Sequence, residues 1–508
     1  MNTLAGKDFF LGLIRHGVVA ILGCLFAIAL YKVWALEGRW FYIVIIAIGM
    51  VAVACIAISW FSQLLMMMLM FCFTLAGFNK WLFIDFLDKD QAANQAYAGL
   101  ISIGLYDFLL LGLYMSWFYR IFLTREQRLP ALHSMDVWVL ALVITYLISI
   151  PGSIEPILGW FSLAHLLKYV ALYFYVSRNF QYRHVKWFLA AMIFAIFINT
   201  LLGSYQKYTG NLVGIALDKG AGSSELNTIY EVYKLDTTRA TGTTYDSHSL
   251  GMLMGMAFEF TFILLFWPKM KTALIWVTCI TMGMAVLALF FCYSRTAWLS
   301  TLIATTTLVG IIFFRWREPK VLFVLALGVL ASLIASPWLF DYIYDRFQRG
   351  TIEVFGYRYD QWVFAIKVWM EGPFFGVGVG NYMETMKTIE DFGNASPLPV
   401  HNMYIWTLCD IGIFGFIAFF GMILSAMRRL WVISGDNQTL TSCLSLAIVM
   451  SLFIFCLDGI TNPIFREPMV YTLFWFFMAF AVVFPEFHQR EKDGTLKPDT
   501  ELTERIRS

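Results

Sequence analysis

The stretch Gly376–Gly415, GVGVGNYMETMKTIEDFGNASPLPVHNMYIWTLCDIGIFG, joins a polar, glycine-rich segment to the beginning of an apolar helix. The polar part ends in His401-Asn402, so an imidazole and a carboxamide lie at the mouth of a predicted membrane span. Glycine lets the backbone approach a ligand or a neighbouring helix closely. The stretch therefore predicts a functional site at the membrane boundary, with a simple interfacial helix cap at His401 as the alternative.

The composition of the whole chain indicates a membrane protein. Of the 508 residues, 60% are hydrophobic and only 14% are charged, whereas soluble domains are about one quarter charged. The formal net charge is +2, which gives no reason to expect a nucleic-acid partner. We predict an all-α integral membrane protein.

Apolar runs of about 17–22 residues mark the predicted spans, and we expect about fourteen transmembrane helices. They lie near 13–34, 40–60, 64–84, 98–118, 137–150, 160–176, 187–205, 249–267, 272–292, 296–314, 321–335, 402–427, 439–457 and 469–485.

Lysines and arginines are concentrated in loops of one parity, which both termini share, so we place that face in the cytoplasm. The opposite face then carries two long loops. The predicted organisation is N-terminal transmembrane helices at 1–205, a first long outer loop at 206–248, central transmembrane helices at 249–335, a second long outer loop with an amphipathic helix at 336–401, C-terminal transmembrane helices at 402–485 and a cytoplasmic tail at 486–508.

The second long loop contains a predicted helix at 357–371 that places Trp362, Ile366 and Trp369 on one face. Gly372-Pro373 ends it. Such a helix could lie along the outer membrane surface or form the core of a small extramembrane domain.

Three arginines at the predicted outer ends of different segments are the candidates for chemistry. Arg295 lies in the tight turn Tyr293–Trp298 between two apolar helices, where an arginine must be paired, hydrated, bound to an anion or extended to the interface. Arg239 follows Thr237-Thr238 and precedes further hydroxyl residues. Arg358 is the third. Such cations suit a diphosphate and the charge that develops on it as a glycosyl bond breaks, and a neutral His401 suits an acceptor hydroxyl.

Two alternatives come from acidic and intramembrane residues. Asp85, Asp88 and Asp90 form an outer cluster that could hold a hard metal ion or could be a solvated loop. Three ionisable side chains inside predicted spans would suit a transporter of a lipid-linked or anionic solute: Asp107, Lys168 and Glu259. A transporter should show repeated halves with broken helices, and the sequence shows no such repeat.

Four motifs resemble those of the O-antigen ligase and O-antigen polymerase family of bacterial envelope glycosyltransferases. They are His401-Asn402 followed after nine residues by Gly412 and Gly415, the stretch 374–382 that contains Gly376, Gly378, Gly380 and Asn381, the hairpin Ser294-Arg295-Thr296-Ala297-Trp298, and the segment Arg239–Leu250, in which His248 stands where the family has Asn. The resemblance covers about 237–420.

The resemblance implies an inverting, metal-independent glycosyltransferase of GT-C-like architecture without a cofactor. It would act on the periplasmic face of the bacterial inner membrane. The donor would be a glycan on undecaprenyl diphosphate. The acceptor would be lipid A–core for a ligase, a second lipid-linked glycan for a polymerase, or a protein hydroxyl. A chain-length regulator would be a partner of a polymerase. By position, Arg295 and Arg239 would hold the diphosphate and His401 would engage the acceptor, while Arg358, Asn402 and Asn381 would help to bind substrate.

Overall fold

The computed structural model describes residues 61–72, 79–81, 102–123, 131–209, 239–244, 246–328, 330, 333, 344, 351–389, 400–463 and 467–496. The chain divides into two compact units, one formed by Met1–Leu69 with Asp107–Ala131 and the other by Met70–Tyr106 with Leu132–Ser508. Most of helix α1 (Phe61–Cys72) and of helix α2 (Leu105–Phe118) belongs to the first unit, where Leu65, Leu69 and Leu113 are buried. A π-helical turn, Tyr119–Leu123, continues α2.

The second unit is helical apart from a pair of short antiparallel strands, β1 (Asn79–Trp81) and β2 (Ser102–Gly104). This strand pair is an exception to the all-α prediction. It lies within or next to two predicted spans, 64–84 and 98–118, so neither range is one continuous helix.

Eight helices in the described part of the chain are long and apolar enough to cross a membrane. They include α4 (Pro156–Asn179), α5 (Val185–Thr209, preceded by the 3-10 turn Tyr182–His184), α6 (Ser247–Leu264), α7 (Thr272–Phe291), α8 (Arg295–Phe314), α11 (Met403–Ile433), α12 (Leu440–Asp458) and α13 (Pro468–Lys492). Helix α3 (Ser134–Ser149) is shorter. The predicted spans 13–34 and 40–60 lie outside the described residues, so the number fourteen is not confirmed.

Helices α6, α12 and α13 form the interior of the second unit. Of their apolar windows, 83%, 83% and 89% are buried. Large side chains such as Trp475, Phe476 and Phe480 pack on all sides of α13. Helices α7 and α8 expose Trp276 and Leu302 instead. A helix that is apolar all round belongs in the interior of a bundle, whereas exposed apolar side chains suit contact with lipid.

The segments that follow α6, α8 and α11 lie close together at one end of the second unit. Arg315 donates to the Trp431 carbonyl at 2.9 Å, and Asn437 donates to the Phe266 carbonyl at 2.8 Å. The residues 486–492, which the sequence predicts as part of a tail, are helical because α13 continues to Lys492. Glu491 accepts hydrogen bonds from the first backbone amides of α12 at 3.2 and 3.0 Å, and this cap orders the end of α13.

The predicted second long loop contains two packed helices, α9 (Thr351–Glu371) and α10 (Tyr382–Thr388). Ala365 and Val368 of α9 are fully buried against α10 and α11, and Trp362 and Trp369 are half-buried against the same cluster. Ile366, which shares the helix face of Trp362 and Trp369, is 46% exposed. A core face made of small residues lets α9 approach α11 closely, and this favours the core-helix alternative.

Helix α11 is broken at Gly412, which has φ 64° and ψ −169°. The glycine-rich loop supplies the hydrogen bonds that the break interrupts. The backbone amides of Ile413 and Phe414 donate to the carbonyls of Pro373 and Phe374 at 3.0 and 3.3 Å, and Val377 donates to the Cys409 carbonyl at 2.8 Å. Irregular backbone at membrane depth persists where protein satisfies its polar groups. This exchange fixes α9 and the glycine loop onto α11.

Candidate active site

The hairpin between α7 and α8 presents Arg295 at the first turn of a helix. Ser294, fully buried, caps α8 by accepting from the Ala297 amide at 3.3 Å. Tyr293 takes the left-handed conformation at φ 52°, and the Trp298 indole donates to the Leu289 carbonyl at 2.7 Å. These contacts make a tight turn between long helices. They place Arg295 beside the positive end of the α8 dipole.

Buried amide side chains of α5 hold the segment 239–244 against this hairpin. Gln206 accepts from the backbone amides of Thr241 and Gly242, both at 2.9 Å. Asn199 accepts from the Thr243 amide at 2.8 Å. As a result, Arg239 lies at the end of α7, where its Nε donates to the Cys292 carbonyl at 3.2 Å.

Arg358 brings a third positive charge to the same place from α9. Burial lowers the pKa of the Arg358 guanidinium, the positive charges of Arg295 and Arg239 lower it further, and the Asp458 carboxyl raises it. Arg358 makes no hydrogen bond or ion pair within the described residues. Three guanidiniums from distant segments of the sequence thus share one electrostatic environment, and their mutual repulsion would be relieved by a bound anion.

Asp458, at the end of α12, belongs to the same electrostatic environment, because its carboxyl raises the pKa of Arg358. Its side chain is 1% exposed, and one oxygen, Oδ2, accepts from Asn462 Nδ2 at 3.0 Å. The other oxygen, Oδ1, is buried and has no hydrogen-bond partner among the described residues. Asn462 also lies 3.5 Å from the Thr296 hydroxyl in the first turn of α8, which ties α12 to the arginine hairpin.

His401 and Asn402 lie at the same end of the bundle, because the residue after them is hydrogen-bonded to Gly459 at the end of α12. The Met403 amide donates to the Gly459 carbonyl at 2.7 Å, directly after Asp458. Asn402 is the N-cap of α11 and accepts from the amides of Tyr404 and Ile405 at 2.9 and 3.0 Å. Its oxygen is therefore used in the cap, and its side-chain nitrogen makes no hydrogen bond to the described part of the chain. The half-buried His401 precedes this cap.

Asn381 makes its side-chain hydrogen bonds to the turn before α4 and to the glycine loop, and none of them goes to the arginine cluster. Its side chain is fully buried, accepts from the Glu155 amide at 2.8 Å, and donates to the carbonyls of Glu155 and Val379 at 3.2 Å each. All of its hydrogen-bonding groups are thus engaged by backbone. Its predicted substrate-binding role is not supported by this geometry, which makes it a clamp between the glycine loop and the turn before α4.

Sequence reasoning missed three residues of the site. His248 departs from the family pattern, yet its Nδ1 lies 2.9 Å from the Ser294 hydroxyl and its Nε2 lies 3.4 Å from Arg239. Asp458 lies between the predicted spans 439–457 and 469–485. The only sign in the sequence that it belongs to a site is that an asparagine, Asn462, follows it four residues later at the end of a span. Gln361 lies one turn from Arg358, and neither atom of its buried carboxamide has a partner within the described residues.

The remaining ionisable residues of the predicted spans and loops have local partners or lie elsewhere. Glu259 is fully buried and accepts from the Thr305 hydroxyl at 2.7 Å. The Lys168 ammonium lies 4.9 Å from the centre of the Tyr106 ring. Asp107 belongs to the other unit. No group of three or more potential metal-ligating side chains gathers within the described residues, and Asp85, Asp88 and Asp90 lie outside them.

Comparison with known proteins agrees with the motifs. Residues 280–420, which are 141 of the 508, match the family model described as O-Antigen ligase. This match confirms the resemblance predicted from the motifs, and it includes Arg295, Arg358, the glycine loop, His401 and Gly412. Arg239 and Asp458 lie outside it. A search of curated proteins found no match.

Proposed function

We infer that this chain is a glycosyltransferase that moves a glycan from undecaprenyl diphosphate to an acceptor hydroxyl at the periplasmic face of the inner membrane. The observation that carries this proposal is that Arg239 and Arg295 flank the turn between α7 and α8 and both lower the pKa of Arg358, while the buried Asp458 raises it. Guanidinium forks and a helix N-terminus are what a diphosphate requires.

The arginines act on the leaving group. When the bond between the anomeric carbon and the diphosphate oxygen breaks, the electron pair departs with the diphosphate. The negative charge on that oxygen then increases in a site with low water content, where fixed cations stabilise it more strongly than they stabilise the ground state. Arg239 is oriented for this task by the Cys292 carbonyl and by His248.

His401 acts on the acceptor. The acceptor oxygen forms the new bond to the anomeric carbon from the side opposite the leaving group, which inverts the configuration. Its proton passes to the neutral imidazole of His401. The Asn402 cap and the bond from Met403 to Gly459 hold His401 beside the end of α12 that carries Asp458.

We favour lipid A–core as the acceptor because the His-Asn-x9-Gly-x2-Gly pattern and the matched family description both favour a ligase. A polymerase would use the same arginines and histidine with a second lipid-linked glycan. The two candidates therefore differ only in the acceptor that the chain uses.

Reconstitution tests the proposal. The purified chain in lipid vesicles should transfer glycan from the undecaprenyl diphosphate donor to lipid A–core, seen as a larger glycolipid on a gel. Arg295→Ala should abolish transfer. Thr306→Ala, on the same helix, is the control, because that hydroxyl bonds the Leu302 carbonyl of its own helix. Product formed only on a second lipid-linked glycan would identify a polymerase, and absence of product with either acceptor would contradict the proposal.

A further inference from the structure

A cavity of about 580 Å³ lies beside the glycine loop, apart from the arginine cluster. Its walls come from the turn between α3 and α4, the end of α9, the glycine loop and α10. Among the residues that line it are Gly152, Glu371, Gly376, Thr385 and Thr388. This volume falls within the range of small-ligand pockets, which is about 300–1,000 Å³.

One wall of the cavity contains a buried hydroxyl that nothing in the described part of the chain satisfies. Thr385 is 5% exposed, and its Oγ1 has no hydrogen-bond partner there. The neighbouring Thr388 hydroxyl donates to the Thr385 carbonyl at 2.8 Å, so the two threonines are not equivalent. A buried polar group without a partner is destabilising. Thr385 lines the cavity, so rotation of its side chain would let a ligand hydroxyl there supply the missing partner.

The remaining lining also suits a hydroxyl-rich ligand. The exposed Glu371 carboxylate has no ion-pair partner within the described residues and can accept hydrogen bonds from vicinal hydroxyls. Gly376 has φ 77° and packs directly on the backbone of Asp410, so this wall is backbone and not side chain. Gly152 contributes no side chain either, and a Cβ built there meets no atom within 4 Å.

We propose that this cavity binds one sugar unit of a glycan substrate, at a distance from the bond that is transferred. This inference rests on the proposed function. Along α11, the level of Asp410 beside Gly376 is roughly 12 Å from the Asn402 cap at about 1.5 Å per residue. The Gly376 wall of the cavity therefore lies well away from His401 along this helix, and the cavity residues there do not contact the acceptor hydroxyl itself. They select the glycan by a unit further along its chain, either in the acceptor or in the donor.

Saturation-transfer NMR on the purified full chain tests the site without requiring transfer. The probes are two free oligosaccharides, released by mild acid from the acceptor glycolipid and from the lipid-linked donor. One of them should bind the wild-type chain, and which one binds identifies the source of the sugar. Thr385→Val, which removes one hydroxyl at nearly constant volume, should weaken that binding about three- to tenfold. Gly152→Trp, which fills the open space, should abolish it.

Matched controls separate the pocket from general effects on the fold. Thr281→Val alters a hydroxyl that is equally buried but bonds the Val277 carbonyl of its own helix. Gly283→Trp adds the same bulk where a Cβ meets no atom. Both should bind like wild type. Arg295→Ala should also keep glycan binding. If the proposed transfer reaction were refuted, the proposed binding of glycan in the pocket would therefore remain testable by itself. No saturation transfer to either glycan, or Thr385→Val and Gly152→Trp variants that bind like wild type, would overturn the pocket alone.

Discussion

Replacing Asn381 with leucine decides whether this residue is a structural clamp or a substrate ligand. The change keeps the branched shape of a fully buried side chain but removes three hydrogen bonds, two with the Glu155 backbone and one with the Val379 carbonyl. Each neutral hydrogen bond contributes roughly 1 kcal/mol, and a backbone amide left unpaired in the interior adds a further penalty of on the order of 1–3 kcal/mol. We therefore expect the glycine loop to lose about 4–6 kcal/mol of local stability.

The thiol of Cys409 gives a local measure of this loss. Cys409 is fully buried beneath the glycine loop, its carbonyl accepts from the Val377 amide, and its Sγ donates to the Ala365 carbonyl at 3.1 Å. Labelling requires opening of the loop. A loss of about 4–6 kcal/mol raises the open population by roughly three to four orders of magnitude. The rate of maleimide labelling at Cys409, followed by peptide mass spectrometry, should rise accordingly.

The control is Asn437→Leu, at the opposite end of the bundle, where the carboxamide donates to the Phe266 carbonyl at 2.8 Å. It should leave labelling of Cys409 unchanged. The reasoning is refuted if Asn381→Leu labels at the wild-type rate while the Michaelis constant for a glycan substrate rises, because that combination identifies a substrate ligand.

Four further predictions concern the reaction and the helix break. Arg295→Lys should be impaired about a hundredfold or more with weaker donor binding, because lysine keeps the charge but loses the guanidinium fork; single-turnover rates with near-native kinetics would contradict this role. His401→Ala should keep donor affinity and lower turnover by on the order of 10²–10⁴, and wild-type activity should fall as acid protonates the imidazole. Gly412→Ala should destabilise the chain by about 3 kcal/mol or more in thermal unfolding, whereas Gly283→Ala should not. Transfer should continue in a strong chelator because arginines supply the positive charge, and rescue by a divalent ion would implicate the acidic cluster instead.

Hydropathy was sufficient to place the eight long helices of the described part within a few residues at most ends, because each span is long and apolar. It overlooked the continuation of α13 to Lys492, since the charged residues after Pro485 lower the apolar signal but are good helix formers. The arginine hairpin was also predictable. An arginine in a short turn between two membrane spans must be paired, hydrated, bound to an anion or extended to the interface, so it indicates a functional position.

Long-range contacts could not be predicted. The motif that contains Gly412 marks the glycine but gives no sign that Pro373 and Phe374 complete the broken helix. Asn381 lies 226 positions from its partner Glu155, so its place in a conspicuous motif suggests a substrate role that its contacts do not support. Asp458 enters the site only because α12 packs beside α8 and α6, and a single carboxylate at a span end does not show this.

The most direct test of the account is equilibrium binding of the undecaprenyl diphosphate-linked glycan to the purified chain in nanodiscs. Arg358→Gln removes one positive charge from the cluster, and the loss of a charge-assisted contact should weaken binding about ten- to hundredfold. Arg428→Gln, which removes an arginine near the other end of α11, should bind like wild type. Equal affinity of the Arg358→Gln variant and the wild-type chain for this donor would contradict the assignment of the arginine cluster to the diphosphate.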